Sequence, residues 1–265
     1  MRVMFSFLTS IACCLITAAA VLPVSADEPK PQALKAQDVL DRMAKAYAGC
    51  NSYHDSGVVT TVFVQVTGNR TVKEKPFTTA FVRPDRLRFE YKENESDGQE
   101  RRYIVWRKGK EVQTWWDVKP GVEKPESLGL ALAGATGVSG GSAHKVPALL
   151  LPKEVGGRRL TDITEAKRVE DAKIDKLDCF RIEGKYADSQ MTLWIDQKTF
   201  LVRRIDAQTK FDDFRAEETT TYDSAIDEDI PDKKLEFDPP EAEAEVDAEP
   251  GAAADQGRMF AFRDV

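Results

Sequence analysis

The string GVSGG at residues 137–141 is the stretch whose residue types most resemble a catalytic motif. It matches G-x-S-x-G, in which a serine on a sharp strand-to-helix turn is the nucleophile of an α/β-hydrolase. Such an enzyme also needs a buried strand before Ser139, and an acid and then a histidine further along the chain. The preceding segment is not β-branched, and His144 follows with no acid in between. A serine hydrolase using Ser139 is therefore the less favoured hypothesis.

The other chemistry-bearing residues are sparse. The two histidines, His54 and His144, are far apart and have no second ligand at helical or hairpin spacing, so the sequence predicts no metal site. The acidic pair Asp212 and Asp213 has the composition of a turn. A net charge of -7 and a pI near 5.2 argue against a nucleic-acid partner. We expect neither catalytic residues nor a cofactor.

Two hydrophobic periods predict the elements that carry these residues. Apolar positions from Leu34 to Tyr47 recur at helical spacing and predict one amphipathic helix ending near Gly49. From Tyr53 the period becomes two, which is typical of strands. Predicted strands lie at residues 53–66, 77–83, 86–91, 103–106, 111–116, 160–169, 176–186, 191–195, 200–207 and 214–224. Short turns join them, so we expect a large antiparallel sheet.

Residues 127–151 interrupt this pattern with an apolar, glycine-rich composition. The segment predicts two short helices joined by a flexible loop at residues 134–141. An insertion of this kind usually covers one face of the sheet.

The predicted sheet has an apolar face that could pack a core or line a cavity. Leu87, Phe89 and Tyr91 alternate with charged residues, and Trp106 and Leu193 add further apolar surface on other strands. A sheet covered by helices can leave a ligand cavity between the two layers. The sequence alone leaves both interpretations open.

Residues 1–26 have the pattern of a cleavable secretory signal peptide. Arg2 precedes an apolar run over residues 3–22, and small residues at 24–26 suit signal peptidase. An uncleaved membrane anchor and a lipoprotein signal ending at Cys13 or Cys14 are the alternatives. We expect one domain over residues 27–240 and a disordered acidic tail over residues 241–265.

Signal cleavage would leave Cys50 and Cys179 as the thiols of the exported chain. Because an oxidising compartment favours disulfides, the sequence predicts a bond between them. Two free, buried cysteines are the alternative.

Four short strings carry a resemblance to a known family: NSYH at residues 51–54, AFVRP at 80–84, KGK at 108–110 and LEFDPP at 235–240. In this order the chain resembles the LolA-like periplasmic lipoprotein carriers. The resemblance implies a mainly β fold, a curved antiparallel half-barrel with an N-terminal helix and short lid helices. It also implies that Arg83 is a lid latch and that Leu87, Phe89 and Tyr91 face the ligand cavity.

The resemblance further implies a monomeric periplasmic carrier. It would bind the acyl chains of a lipoprotein or lipid in a lidded hydrophobic cavity and deliver them to a membrane-bound acceptor. Its expected protein partner is a membrane-bound donor or acceptor. Related proteins of this fold act as sensors that bind lipids or lipoproteins and regulate a membrane partner, which is the alternative. The glycine-rich lid, the cysteine pair and the acidic tail depart from the family pattern.

Overall fold

The computed structural model describes residues 34–94 and 98–240. The predicted signal peptide and acidic tail lie outside these residues. Among the described residues, no helix is both long and apolar enough to cross a membrane.

The described chain is mainly β, with four α-helices. The strands are β1 (Ser52–Gln65), β2 (Arg70–Val82), β3 (Arg86–Asn94), β4 (Glu100–Lys108), β5 (Glu111–Trp116), β6 (Lys119–Glu123), β7 (Thr164–Ile174), β8 (Leu177–Tyr186), β9 (Ser189–Asp196), β10 (Val202–Lys210) and β11 (Phe214–Ile226). The helices are α1 (Ala36–Gly49), α2 (Leu128–Val138), α3 (Ser142–Lys145) and α4 (Pro147–Leu150). Short 3-10 turns lie at Leu160–Asp162 and Asp232–Lys234.

All eleven strands belong to one antiparallel sheet in the order β6-β5-β4-β3-β2-β1-β11-β10-β9-β8-β7. Each of the two halves is a meander, and the pairing of β1 with β11 joins them in register from Tyr53 with Ile226 to Gln65 with Phe214. The sheet is not closed into a barrel, because β6 and β7 remain as its edges. This confirms the predicted mainly β antiparallel fold with an N-terminal helix and short helices.

The amphipathic pattern of the first helix is confirmed. Val39, Leu40, Met43 and Tyr47 of α1 are fully buried against the sheet, and they recur at three- and four-residue spacing. The helix ends at Gly49, where the sequence predicted it to end.

The second helix is longer than predicted. Gly134 and Gly137 lie inside α2, so the loop between the helices spans only residues 139–141. A glycine costs a helix about 1 kcal/mol relative to alanine, and burial of Leu128 and Leu132 against the sheet offsets this cost. The connecting loop does need glycine, since Gly140 and Gly141 have φ values of +63° and +81°.

The two faces of the sheet have different covers. The helices cover one face and form the main core with it. On the opposite face lies the C-terminal strap, residues 227–240, whose Ile230 and Leu235 pack on Ala80 of β2. The strap begins with Asp227, whose carboxylate accepts a 2.7 Å hydrogen bond from the N–H of Asn51.

Candidate functional site

Arg83, directly after β2, connects the sheet to two helices. Its Nε donates to the carbonyl oxygen of Cys50 at 2.6 Å. Its Nη2 donates to the carbonyls of Ala48 at 2.8 Å and Tyr47 at 3.2 Å, both in the last turn of α1. The same atom donates to the carbonyl of Leu150, the last residue of α4, at 3.0 Å.

The local sequence explains why an arginine fits this place. The last carbonyls of a helix have no partner within the helix and carry its partial negative charge. A guanidinium is planar, permanently charged and has five N–H donors, so it can serve several such carbonyls at once. Arg83 therefore has the contacts that its predicted role as a lid latch requires, while the role itself stays a prediction.

Two lysines bind the other helices of the cover. Lys75 of β2 donates to the carbonyl of Val138, the last residue of α2, at 2.7 Å. Lys145 of α3 forms a 2.7 Å ion pair with Glu218 of β11, and its side chain is only 9% exposed. All the helices over this face are thus held at their ends by cationic side chains.

Four of the five predicted cavity residues lie beneath the helices. Leu87, Phe89, Tyr91 and Leu193 are all buried in the main core. The ring of Phe89 stacks on Phe77 with centroids 6.4 Å apart. In this state their side chains fill the core, and their part in a ligand cavity stays a prediction.

Trp106 was wrongly placed by the sequence prediction. In the register of β3 and β4, Trp106 pairs with Arg88, whereas Phe89 pairs with Val105. Because side chains alternate between faces, Trp106 points away from the helices. Its ring packs against Phe237 of the C-terminal strap, with centroids 5.3 Å apart.

A polar group of side chains lies in the middle of the helix-covered face. We call it the Asp55 cluster, and it comprises Tyr47 of α1, Tyr53 and Asp55 of β1, and Tyr222 of β11. Tyr53 donates to a carboxylate oxygen of Asp55 at 2.6 Å, and the N–H of Thr79 donates to the other at 2.7 Å. The hydroxyl of Tyr47 accepts a 3.0 Å hydrogen bond from the N–H of Val202.

One member of the Asp55 cluster lacks a hydrogen-bond partner among the described residues. It is Tyr222, whose hydroxyl is buried and unpaired there, and the residue is only 4% exposed. Its ring rests edge-on against Phe77, with centroids 5.4 Å apart. Buried polar groups are normally paired, so an unpaired hydroxyl at this position needs an explanation.

Burial also changes the acidity of the cluster. It raises the pKa of Asp55 to about 6, against the opposing effect of the hydrogen bonds from Tyr53 and Thr79. Burial, reinforced by the nearby Asp55 carboxylate, raises the pKa of Tyr222 well above its usual value. The sequence prediction did not single out either residue, and their only signal was a polar side chain at a core-facing position of a strand.

An open groove of about 770 Å³ lies on the opposite face of the sheet. Residues that line it include Val58, Pro76, Thr78, Ile174, Leu177 and Arg204. Its lining also includes Gly57, Phe77 and Tyr222, so the groove reaches one member of the Asp55 cluster.

Ser139 does not have the surroundings of a catalytic nucleophile. It follows α2 and is fully buried. Its Oγ accepts a 3.2 Å hydrogen bond from the N–H of Ala143 and lies 3.5 Å from the carbonyl of Thr136. The Nε2 of His144 instead bonds the carbonyl of Gly156 at 2.7 Å. The strand-to-helix turn of a hydrolase is thus replaced by a helix-to-helix turn.

The predicted disulfide is not formed, and this corrects the sequence prediction. Cys50 and Cys179 are separate buried thiols. The Sγ of Cys50 donates to the carbonyl of Tyr47 at 3.2 Å, while that of Cys179 lies 3.8 Å from the carbonyl of Leu177. One thiol caps the end of α1 and the other belongs to β8, so each has its own local partner.

The histidine His54 and the acidic pair Asp212 and Asp213 lie where a side chain has a structural role. His54 lies 2.9 Å from a carboxylate oxygen of Glu228 in the strap. Asp212 and Asp213 lie in the turn between β10 and β11. Within the described ranges, no group of histidine, cysteine and carboxylate side chains has a metal-binding arrangement.

Comparison with protein families identifies the family of this chain. The model of a family described as predicted periplasmic protein (DUF2092) matches residues 36–248. The chain belongs to this family. Membership confirms the periplasmic location that the sequence predicted. Comparison with curated proteins finds no match.

Solved structures similar to this DUF2092 protein include three from bacteria. A LolA superfamily protein from Nitrosomonas europaea is 13% identical, with 77% of this chain and 99% of that chain covered and a TM-score of 0.29. A putative outer membrane lipoprotein-sorting protein domain from Vibrio parahaemolyticus is 8% identical, with coverages of 74% and 94% and a TM-score of 0.32. The MucA/MucB complex of Pseudomonas aeruginosa is 14% identical, with 77% of this chain and 61% of that chain covered and a TM-score of 0.34.

Proposed function

We propose that this periplasmic protein binds the acyl chains of a lipoprotein or lipid between its sheet and its helices and delivers them to a membrane-bound acceptor. The observation that carries the proposal is the set of hydrogen bonds from Arg83 to the carbonyls of α1 and α4. One side chain holds two helices over an apolar sheet face. Their separation would uncover that face without unfolding the sheet.

The energetics suit reversible binding. Burial of an acyl chain contributes about 0.8 kcal/mol for each methylene, so a chain of ordinary length supplies ample free energy to displace the helices. Part of this gain is offset by the lost contacts of the helices and of Arg83. The offset would permit release to an acceptor, and a monomer suffices for the cycle.

The proposed role requires no bond to be made or broken. Ser139 is buried, and its hydroxyl contacts the backbone of its own turn. The proposed cycle therefore consists of opening, binding and release, and we propose a binding protein rather than an enzyme.

The test is native mass spectrometry and lipid extraction of the protein purified from its own cell envelope. Co-purifying acyl chains are the expected result, and Arg83→Leu should change their amount. A wild-type protein free of acyl chains would contradict the proposal. A stable crosslinked complex with a membrane-anchored regulator, formed in cells when lipid is bound, would favour the sensor alternative over delivery.

A further inference from the structure

The unpaired hydroxyl of Tyr222 and the carboxylate of Asp55 are both buried on the helix-covered face of the sheet. Burial is the largest cause of the raised pKa of Tyr222. Among the neighbouring charged and phenolic groups, Asp55 raises this pKa most, followed by Tyr47. Asp55 and Tyr222 lie on neighbouring strands, since Tyr222 pairs with Gly57 and Ser224 pairs with Asp55. The hydroxyl and the carboxylate thus face the same space beneath α1.

The helix residue that covers this space is tied to Arg83. The ring of Tyr47 lies over Tyr53, with centroids 5.5 Å apart, and its carbonyl accepts a hydrogen bond from Arg83. Release of the Arg83 hydrogen bonds would therefore free the end of α1 that covers the Asp55 cluster. The cluster is the polar part of the sheet face that would be uncovered.

The chemistry of the cluster limits what it could bind. The Asp55 carboxylate accepts hydrogen bonds and repels other anions in a buried setting. The Tyr222 hydroxyl can both donate and accept. An uncharged group with hydroxyl or amide N–H donors would satisfy both residues, whereas a phosphate or carboxylate would be placed beside a second negative charge.

We propose that Asp55 and Tyr222 form a head-group subsite that selects acyl ligands with uncharged, hydrogen-bonding heads over ligands with anionic heads. This inference rests on the proposed function and adds the class of ligand to it. The sequence alone does not predict this pair, because 166 residues lie between Asp55 and Tyr222. The pairing of β1 with β11 brings the two side chains together.

Two probes with the same acyl chain test the selection. 1-Oleoylglycerol carries two hydroxyls, and 1-oleoyl-lysophosphatidic acid carries a phosphate on the same glycerol. Binding of each to the wild-type protein is measured at pH 7.5 by native mass spectrometry and by competition with a fluorescent fatty-acyl probe. We expect oleoylglycerol to bind at least tenfold more tightly, because the phosphate would be buried beside Asp55.

Two variants and a control identify the residues. Tyr222→Phe removes only the unpaired hydroxyl, and it should weaken oleoylglycerol binding about tenfold without lowering the temperature of thermal unfolding, because a buried unpaired hydroxyl is itself destabilising. Asp55→Asn should reduce the discrimination against the phosphate. Tyr186→Phe, which removes a hydroxyl bonded to the carbonyl of Arg158 instead, should bind both probes as the wild type does.

The outcomes separate the inference from the proposed function. Equal binding of both probes by the wild type, or unchanged oleoylglycerol binding by Tyr222→Phe, overturns the subsite and leaves acyl binding intact. Binding of neither probe overturns both.

Discussion

The Nη2 of Arg83 and the carbonyl oxygen of Leu150 lie 3.0 Å apart, so one side chain from the sheet closes the C-terminal end of α4. The same Nη2 lies 2.8 Å from the carbonyl of Ala48 in α1. Two helices that are a hundred residues apart in sequence thus share one donor. A change at Arg83 should therefore affect both helices together.

Arg83→Leu should loosen α1 and α4 without disrupting the sheet. The helix carbonyls would lose a charged donor, which we expect to lower the free energy of unfolding by about 2 to 3 kcal/mol. Hydrogen exchange measured by mass spectrometry should speed up in α4 and in the last turn of α1, and urea unfolding gives the stability. Arg215→Leu is the control, since within the described part of the chain that exposed side chain bonds only Glu217, two residues further along β11. Unchanged exchange in both helices would contradict the latch.

The contrast between Arg83 and Trp106 illustrates what the sequence could predict. Arg83 follows a strand and precedes a proline, and a short local string was enough to locate it. The face on which Trp106 lies depends on the register of β3 with β4, which no local pattern specifies. The alternation of Leu87, Phe89 and Tyr91 within one strand was predicted correctly because it is local.

The same distinction explains the other differences. Gly134 and Gly137 have low helix propensity, and only contact with the sheet makes their segment helical. Strand β6 was not predicted, since Pro120 and Gly121 disfavour strands. Asp55 and Tyr222 meet only through the long-range pairing of β1 with β11. Local periodicity therefore predicted most of the elements, and the candidate subsite required the tertiary structure.

Phe237→Ala should detach the C-terminal strap from the outer face of the sheet. The ring of Phe237 lies 5.3 Å from both Trp106 and Trp115. Its removal should expose both indoles, shift tryptophan emission to longer wavelength and lower stability by about 2 kcal/mol, since the ring is only partly buried. Phe211→Ala is the matched control, because its ring is 51% exposed and contacts no tryptophan in the described structure. An unchanged emission spectrum for Phe237→Ala would contradict the packing.

Cys50 and Cys179 should behave as two free thiols. They should react slowly with alkylating agents in the native protein, and no reducing agent should be needed to make them reactive. Burial raises the pKa of Cys179 to about 11, with the nearby Asp196 adding to the effect, and burial also raises that of Cys50. Iodoacetamide should therefore react slowly with the native protein. In denaturant without reductant, mass spectrometry should find both thiols alkylated. If neither cysteine were alkylated before reduction and both were alkylated after it, the two residues would form a disulfide, as the sequence predicted.

Asp55 should make the stability of the protein depend on pH in a defined direction. Its pKa is raised by burial from 3.8 in the unfolded chain to about 6 in the native state. Between these two values the native protein holds a proton that the unfolded chain has lost, so the contribution of Asp55 to stability decreases as pH rises through this interval and is constant above it. A change of about two pKa units corresponds to about 3 kcal/mol.

The measurement is urea unfolding of the wild type and of Asp55→Asn from pH 4 to pH 7.5. The variant cannot titrate at this position, so the difference in unfolding free energy between wild type and variant isolates Asp55. Other carboxylates act on both proteins and cancel. One of them is Asp196, which burial alone would give a raised pKa but which the N–H groups of Thr199 and Lys198 hold below its usual value. We expect the wild type to lose about 2 to 2.5 kcal/mol relative to Asp55→Asn over this range, most of it before pH 6.5, because the unfolded carboxyl is already partly ionised at pH 4. A difference that stays constant with pH would mean that Asp55 is not held in a buried state beneath α1, and the head-group subsite would lose its carboxylate.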